Sequence, residues 1–381
     1  MAVSLFWASA ALVGYIYLLY PALLWLLTFW RRRPCYAEPR EWPPVSLIIT
    51  AYNEAAVIRE KLENSLALDY PQGKLQIIVV SDGSQDGTDP LVARYADQGV
   101  LLRRMEPRSG KTAAQNAGVR LATGQVLVFT DANSIYAEAA LKELVRPLAD
   151  PAVGCVCGEL QYTNPGGEGA GKGEGFYWRY EQFLKNRESL LCSLVGANGS
   201  IYALRRELFD ELAPEIISDF VMPLRVWRKG FRVVYAPRAL AVERSAKSFG
   251  EEFRRRTRII ARSLHGLRTE AGVLNPFAHP GFAFQVASHK LLRWLVPLFL
   301  VLAFASSLAL ADQEPYRTLF RLQAGFYLLA LAGNLWPARL GRVGLFYIPA
   351  HFCAINLGAL VGLGKFLAGN RYIVWQPVSR K

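Results

Sequence analysis

Val45-Ser46-Leu47-Ile48-Ile49-Thr50 runs without a break into Ala51-Tyr52-Asn53-Glu54. The first six residues are mostly apolar, rich in β-branched side chains and preceded by prolines, so they read as a buried strand. A helical pattern follows from about Ala55 to Leu68. The arrangement recurs. Leu75-Gln76-Ile77-Ile78-Val79-Val80 ends in Ser81-Asp82-Gly83-Ser84, with Asp86-Gly87-Thr88 close behind and a helix to about Gln98. Gln125-Val126-Leu127-Val128-Phe129-Thr130 ends in Asp131-Ala132-Asn133. This alternation predicts an α/β domain with a mostly parallel, doubly wound sheet. Such sheets bind ligands outside the carboxyl ends of their strands, where all three polar clusters fall.

Carboxylates alone repel a phosphate, so a divalent cation or a lysine must mediate. Asp131 and Asn133 offer two oxygen ligands suited to magnesium or manganese. Lys111, in Ser109-Gly110-Lys111-Thr112, supplies a phosphate countercharge. Each cluster alone also reads as a turn, because Asp-Gly and Asn are common turn residues; three at successive strand ends favour a site. Gly110-Lys111-Thr112 is not a phosphate loop, since position 105 is Met where that motif needs Gly, and no strand runs into it.

Outward from this domain the chain changes character. Residues from about Ala2 to Trp30 are nearly uncharged, and Arg31, Arg32 and Arg33 follow at once. Twenty apolar residues suffice to cross a bilayer. Positive charge after the apolar run, not before it, reads as a signal anchor with its basic end in the cytoplasm. The Pro-rich stretch from Pro34 to Pro44 makes a linker. Leu291 to Ala311, Leu319 to Trp336 and Leu345 to Leu367 are three further candidate spans, broken at Asp312-Gln313-Glu314-Pro315 and Pro337-Ala338-Arg339. The expected organisation is an anchor over 1–33, a cytoplasmic domain over 34–275, and a membrane region with tail over 276–381. One span before and three after would put the tail outside, whereas the four basic residues from Lys365 to Lys381 prefer the inside. A membrane dip between Asn275 and Lys290 would reconcile the two.

Composition agrees. The 381 residues are 52% hydrophobic and only 20% charged, which excludes a disordered chain. The apolar excess at the two ends argues against an ordinary soluble enzyme. The formal net charge of +13 suits nucleic acid, or a domain lying on an anionic membrane and holding a phosphorylated substrate. The spans favour the second, with no nucleic-acid partner. Cys155-Val156-Cys157 lacks the redox spacing, and the five cysteines read as reduced structural thiols. Gly166 to Gly175 reads as a mobile loop.

At this point the domain resembles the membrane-anchored family 2 glycosyltransferases of the GT-A fold, related to cellulose, hyaluronan and poly-N-acetylglucosamine synthases. The likeness extends from the first strand through the last membrane helix. It implies that Ala51, Tyr52 and Glu54 contact the nucleotide, that Asp82 recognises the base, and that Lys111 lies near the diphosphate. Asp131-Ala132-Asn133 falls on the D-x-D motif, with Asn133 in place of the usual second aspartate and so a weaker metal ligand. Val195 to Arg206 resembles the acceptor-side loop, where Asn198 and Gly199 lie. Asn198-Gly199-Ser200 also fits a glycosylation sequon, an accidental match on a cytoplasmic domain. Asp219 matches the general base, which takes the proton of the attacking hydroxyl. It could also serve as an N-cap for a helix running to about Lys229.

Glu252 to Ile259 falls on the Q-x-x-R-W motif of processive members. Arg258 matches its Arg, while Arg255 and Ile259 replace the Gln and the Trp, which weakens a processive reading. Six basic residues between Arg254 and Arg268 suit both lipid headgroups and a diphosphate clamp. Phe176 to Lys185 reads as an interfacial helix or one packed under the domain. Ser288-His289-Lys290 with Arg293-Trp294 reads as an anchor, or as a contact for a lipid-linked acceptor. The resemblance implies an inverting hexosyltransferase of the inner or plasma membrane, using a nucleotide-sugar (UDP-sugar expected) and magnesium or manganese. Its acceptor would be a growing polysaccharide, with an export partner, or a lipid-linked sugar or lipid. A membrane-tethered binding subunit with a degenerate site is the alternative from another class.

Overall fold

The computed structural model describes residues 1–32, 34–163, 170–244, 249–336 and 343–374. Arg33, Gly166 to Gly169 of the Gly-rich stretch, the Pro337-Ala338-Arg339 break, and Arg380 and Lys381 of the tail lie outside the described residues; the rest of the Gly-rich stretch, expected as a loop, opens helix Ala170–Leu191.

The three strands anticipated from the sequence are β1 (Val45–Ala51), β2 (Leu75–Ser81) and β4 (Val126–Asp131). β1 lies between the other two, parallel to both, with Ile48 opposite Ile78 and Phe129. β3 (Val100–Arg104) extends the parallel half beside β2. The remaining strands are β5 (Ile135–Tyr136), β6 (Val153–Thr163), β7 (Tyr202–Arg205) and β8 (Arg232–Arg244). The order is β3-β2-β1-β4-β7-β6-β8-β5. β7 returns antiparallel between β4 and β6, and β5 pairs antiparallel with β8, so the sheet is mixed.

Successive residues of β1 enter different cores. Ile48 joins Ile78, Phe129, Tyr202 and Phe220 on one face. Leu47 and Ile49 join Val79, Val128 and Leu144 on the other. A sheet covered on both faces gives continuous apolar strands.

Among the described residues, three helices are long and apolar enough to cross a membrane: Ala2–Thr28, Pro280–Ala309 and Gly344–Leu367. The expected arrangement, one span before the domain and the rest after it, is roughly matched, with three spans where about four were expected. Tyr316–Leu335 is a 20-residue helix, but Arg317, Arg321, Gln323 and Asn334 dilute its apolarity. The stretch from Pro280 to Lys290 is part of the following helix and not a separate dip. Helix Ala170–Leu191 packs against the N-terminal one, with Leu184 beside Tyr20 and Leu24. Helix Phe249–Thr269 lies against Gly344–Leu367 with backbones nearly touching. A Cβ on Gly362 would lie 2.8 Å from the Thr257 carbonyl oxygen, and one on Gly358 3.3 Å from that of Phe253.

Candidate active site

The strand ends build the site. Ala51 is fully buried, and its carbonyl accepts the Asp82 amide at 2.9 Å. The Arg108 guanidinium covers the Tyr52 ring, 3.4 Å from its centre. Asn53 adopts φ +53°, which Asn tolerates better than most residues. Its side-chain oxygen accepts the Gln85 amide at 2.8 Å, tying the first cluster to the second. Asp82 is completely buried and accepts the backbone amides of Ser109 (2.7 Å) and Gly110 (2.9 Å). It therefore shapes the loop that leads into helix Lys111–Leu121. Gly110 has φ +92°, and a Cβ there would lie 2.2 Å from the Ile373 carbonyl oxygen. The segment beyond the last membrane helix thus lies across this loop, held by a His265–Asn370 hydrogen bond (3.1 Å) and an Arg371–Glu215 ion pair (2.8 Å).

A cavity of about 360 Å³ opens beside these strand ends. Glu54, Lys111, Asp131, Asn133, Asn198, Gly199, Asp219, Arg255 and Arg258 all line it. Ala51, Tyr52 and Asp82 are not on its wall but flank it. Lys111 is ion-paired with Asp131, whose other oxygen accepts the Ser200 hydroxyl at 3.2 Å. Asp131 and Asn133 supply hard oxygen donors. Among the described residues no group of three or more His, Cys, Asp or Glu could hold a metal. The donor set therefore fits a cation that completes its shell with diphosphate and water oxygens, as magnesium and manganese do.

Asp219 is not an N-cap. Its helix, Ser218–Arg228, follows Ile217 and has no side-chain cap, so the Asp219 carboxylate is left for the cavity. Burial pushes its pKa up. Lys111 opposes that shift, Asp131 adds to it, and Arg262 and Lys290 oppose it. The Ala197 amide donates to the Asp219 carbonyl at 2.8 Å and docks the acceptor-side loop on this helix. A Cβ at Gly199 would lie 2.6 Å from the Asp219 Oδ2, so only glycine lets the loop pass this close. Asn198 donates to the Gly158 carbonyl at 2.7 Å and accepts from Lys185.

Helix Phe249–Thr269 presents Arg255 and Arg258 to the cavity. Burial, then the neighbouring Arg255, lower the Arg258 pKa. Arg262, one turn on, is 5% exposed and donates to the carbonyls of Glu215, Pro214 and Ile216 and to the Thr112 hydroxyl. It holds together the two segments that carry Asp219 and Lys111.

Sequence reasoning missed Lys61. It is fully buried, donates to the Thr130 hydroxyl at 3.0 Å and to the Ser134 carbonyl at 2.5 Å, and so braces the turn bearing Asp131 and Asn133. Burial pulls its pKa down to about 7 against the opposing charges of Asp131 and Glu243. Glu243 accepts the Ser134 hydroxyl from the far side of the same turn. The signal was present: Lys61 lies on the face of its helix shared by Ile58, Leu62 and Ser65.

A crevice at parallel strand ends, lined by an Asp-x-Asn turn, the lysine paired with it and a buried carboxylate, suits a nucleotide-sugar transferase of the GT-A fold. Residues 46–213 match the model of Glycosyl transferase family 2. This part of the chain is therefore similar to the family 2 glycosyltransferases. The chain is 26% identical over 281 residues to "Probable glycosyltransferase YdaM" of Bacillus subtilis (strain 168), covering 68% of this chain and 64% of that protein. It is 23% identical over 221 residues to the poly-beta-1,6-N-acetyl-D-glucosamine synthase of Staphylococcus aureus (strain COL), covering 56% and 53%. Both matches thus span less than two thirds of the relative. Among solved structures, the mannosyltransferase PcManGT from Pyrobaculum calidifontis, in complex with GDP-Man and Mn2+, superposes with a TM-score of 0.76 at 25% identity. It covers 96% of this chain and 100% of that one.

Proposed function

We propose that this enzyme transfers a hexose from a nucleoside diphosphate sugar to an acceptor hydroxyl at the cytoplasmic face of the cell's inner membrane, with inversion. UDP is the nucleotide expected from the sequence; GDP-mannose, the ligand of PcManGT, is the competing donor. A growing glycan or a lipid-linked sugar is the acceptor. The observation that carries this reading is the convergence of Asp219, Lys111 and Asp131 on one cavity beside the membrane helices.

Lys111, Arg255 and Arg258 bind the donor diphosphate by charge-assisted hydrogen bonds. Asp131 and Asn133 would hold magnesium or manganese, which neutralises charge on the departing diphosphate. Asp82 and Tyr52 support the loop beside the base. Asp219 accepts the proton of the acceptor hydroxyl as its oxygen bonds to the anomeric carbon. The bond from that carbon to the diphosphate oxygen breaks, and its electron pair leaves with the nucleotide. Gly199 keeps the acceptor loop against Asp219. Arg31 and Arg32, after the first apolar helix, favour a cytoplasmic site.

The test is turnover of radiolabelled UDP-glucose, UDP-N-acetylglucosamine, UDP-galactose, UDP-glucuronate and GDP-mannose by full-length protein with native membranes and Mg2+ or Mn2+. Product formation that Asp219→Asn abolishes, with nucleotide binding intact, supports the reading. Nucleotide binding without turnover of any donor sinks it.

A further inference from the structure

Helix Ala170–Leu191 does more than pack on the first membrane helix. Trp178, Glu181 and Lys185, three and four residues apart, share one of its faces, and all three line the cavity that holds Asp219. β6 contributes Leu160 and Tyr162 to the same lining. The Gln182 side chain donates to Glu159 at 2.8 Å, and the Tyr235 hydroxyl donates to the other Glu159 oxygen at 2.9 Å. Helix and strand are thus pinned together.

The two elements meet at both ends of a trough. At the inner end Lys185 donates to the Asn198 side chain, and Asn198 donates to the Gly158 carbonyl of β6 at 2.7 Å. Asn198 adjoins Gly199, which lies against Asp219. At the outer end the Tyr162 and Trp178 rings meet, with centroids 4.7 Å apart and planes tilted by 37°. From Gly158 to Tyr162 a strand advances about 13 Å. From Lys185 back to Trp178 a helix covers about 10 Å. The aromatic pair therefore stands well away from the reacting carboxylate, along a wall that Glu181 and Lys185 make polar.

Among the described residues that line this cavity, Tyr162 and Trp178 are the only phenol and indole rings. Both are partly exposed. Ile259, from helix Phe249–Thr269, is aliphatic. An aromatic face with polar groups beside it suits a pyranose, whose C–H face takes the apolar contact while its hydroxyls take the polar atoms. The sugar that reacts cannot be the one stacked here, because its hydroxyl has to lie at Asp219.

We propose that Tyr162 and Trp178 form a subsite for the second sugar of a glycan acceptor, counted from the reacting hydroxyl. The first ring lies beside Asn198 and Gly199, and the chain follows the trough outward to the aromatic pair. This rests on the glycosyltransferase reading and selects among its acceptors. A chain of at least two sugars fills the trough, whereas a single sugar or a lipid alcohol leaves the rings uncovered.

The test measures binding and needs no turnover. Full-length protein in nanodiscs, with Mn2+ and saturating UDP or GDP, is titrated with methyl glycosides of one, two and three residues in the glucose, N-acetylglucosamine and mannose series. In one series the affinity is expected to rise about tenfold from one residue to two, the scale of one aromatic contact, and to level off at three. Trp178→Ala removes that step and leaves the single-residue affinity in place, while Trp178→Phe keeps most of it. UDP and GDP affinities stay at the parent values, which also shows that the variant is folded; if Trp178→Ala is misfolded, Tyr162→Ala carries the same comparison. No step in any series, absence of binding included, overturns the proposal, and so does a step that survives in Trp178→Ala. Weaker binding of UDP-glucose or GDP-mannose to Trp178→Ala, with free UDP and GDP unaffected, overturns it by assigning the rings to the donor sugar. A failure of the glycosyltransferase reading shows up separately, as absence of donor turnover with native membranes.

Discussion

The Lys111 ammonium is ion-paired with the Asp131 carboxylate, joining the start of one helix to the end of β4. A divalent cation on Asp131 must compete with that lysine. Lys111→Met is therefore expected to tighten Mn2+ binding by up to about fivefold, the scale of a partly exposed ion pair. It weakens donor binding at the same time. Asp131→Asn weakens both. Titrations of Mn2+ by paramagnetic resonance and of nucleotide by calorimetry check the opposite signs, and a parallel loss in Lys111→Met refutes the competition.

Asp219 has a pKa raised by burial. Only its deprotonated form accepts a proton, so activity falls as pH drops through a value above the ordinary carboxylate range. Asp219→Asn lowers kcat by roughly 100-fold or more. Because the Lys111 charge holds the carboxylate down, Lys111→Met moves the acid limb of the kcat profile to higher pH. A limb that stays in place would show that Asp219 is not the group reported.

Gly199→Ala puts a methyl group where the Asp219 Oδ2 lies. Either the loop or the carboxylate must shift. A displacement of about 1 Å costs on the order of 100-fold in rate. The expected outcome is a large loss in kcat with nucleotide affinity preserved, read by steady-state kinetics beside calorimetry.

Lys61 has a pKa of about 7 in the fold, below its value in the unfolded chain. Between pH 7 and roughly 10.4 the unfolded chain binds the extra proton, so stability rises with pH across that window. Lys61→Met flattens the rise. It also removes the donors to Thr130 and Ser134, so turnover falls about tenfold as the turn loosens. Melting curves from pH 7 to 10 in one detergent check the slope.

β1, β2 and β4 were legible because strands buried on both faces read as unbroken apolar runs. β8 was not: Pro237 and several arginines interrupt its 13 residues. β7 escaped because four residues carry too little pattern. The positions of Lys111, Asp131 and Asp219 followed from strand ends and from family resemblance. The work of Asp82 did not, since its partners Ser109 and Gly110 lie 27 and 28 residues away and meet it only through folding. Lys61 stayed hidden for a related reason. A lysine on an apolar helix face reads as a surface residue until its surroundings are known.

Gly358 and Gly362 bring the last membrane helix onto the backbone of the helix bearing Arg255 and Arg258. Small residues four apart lock helices at close range, with little room to slide. On the proposed function, the height of the transfer point above the bilayer is therefore set like a fixed gauge. An enzyme built this way does not swing out to fetch a substrate from bulk water. Its reach is a property of the joint between two helices, and whatever receives the sugar has to arrive at that level.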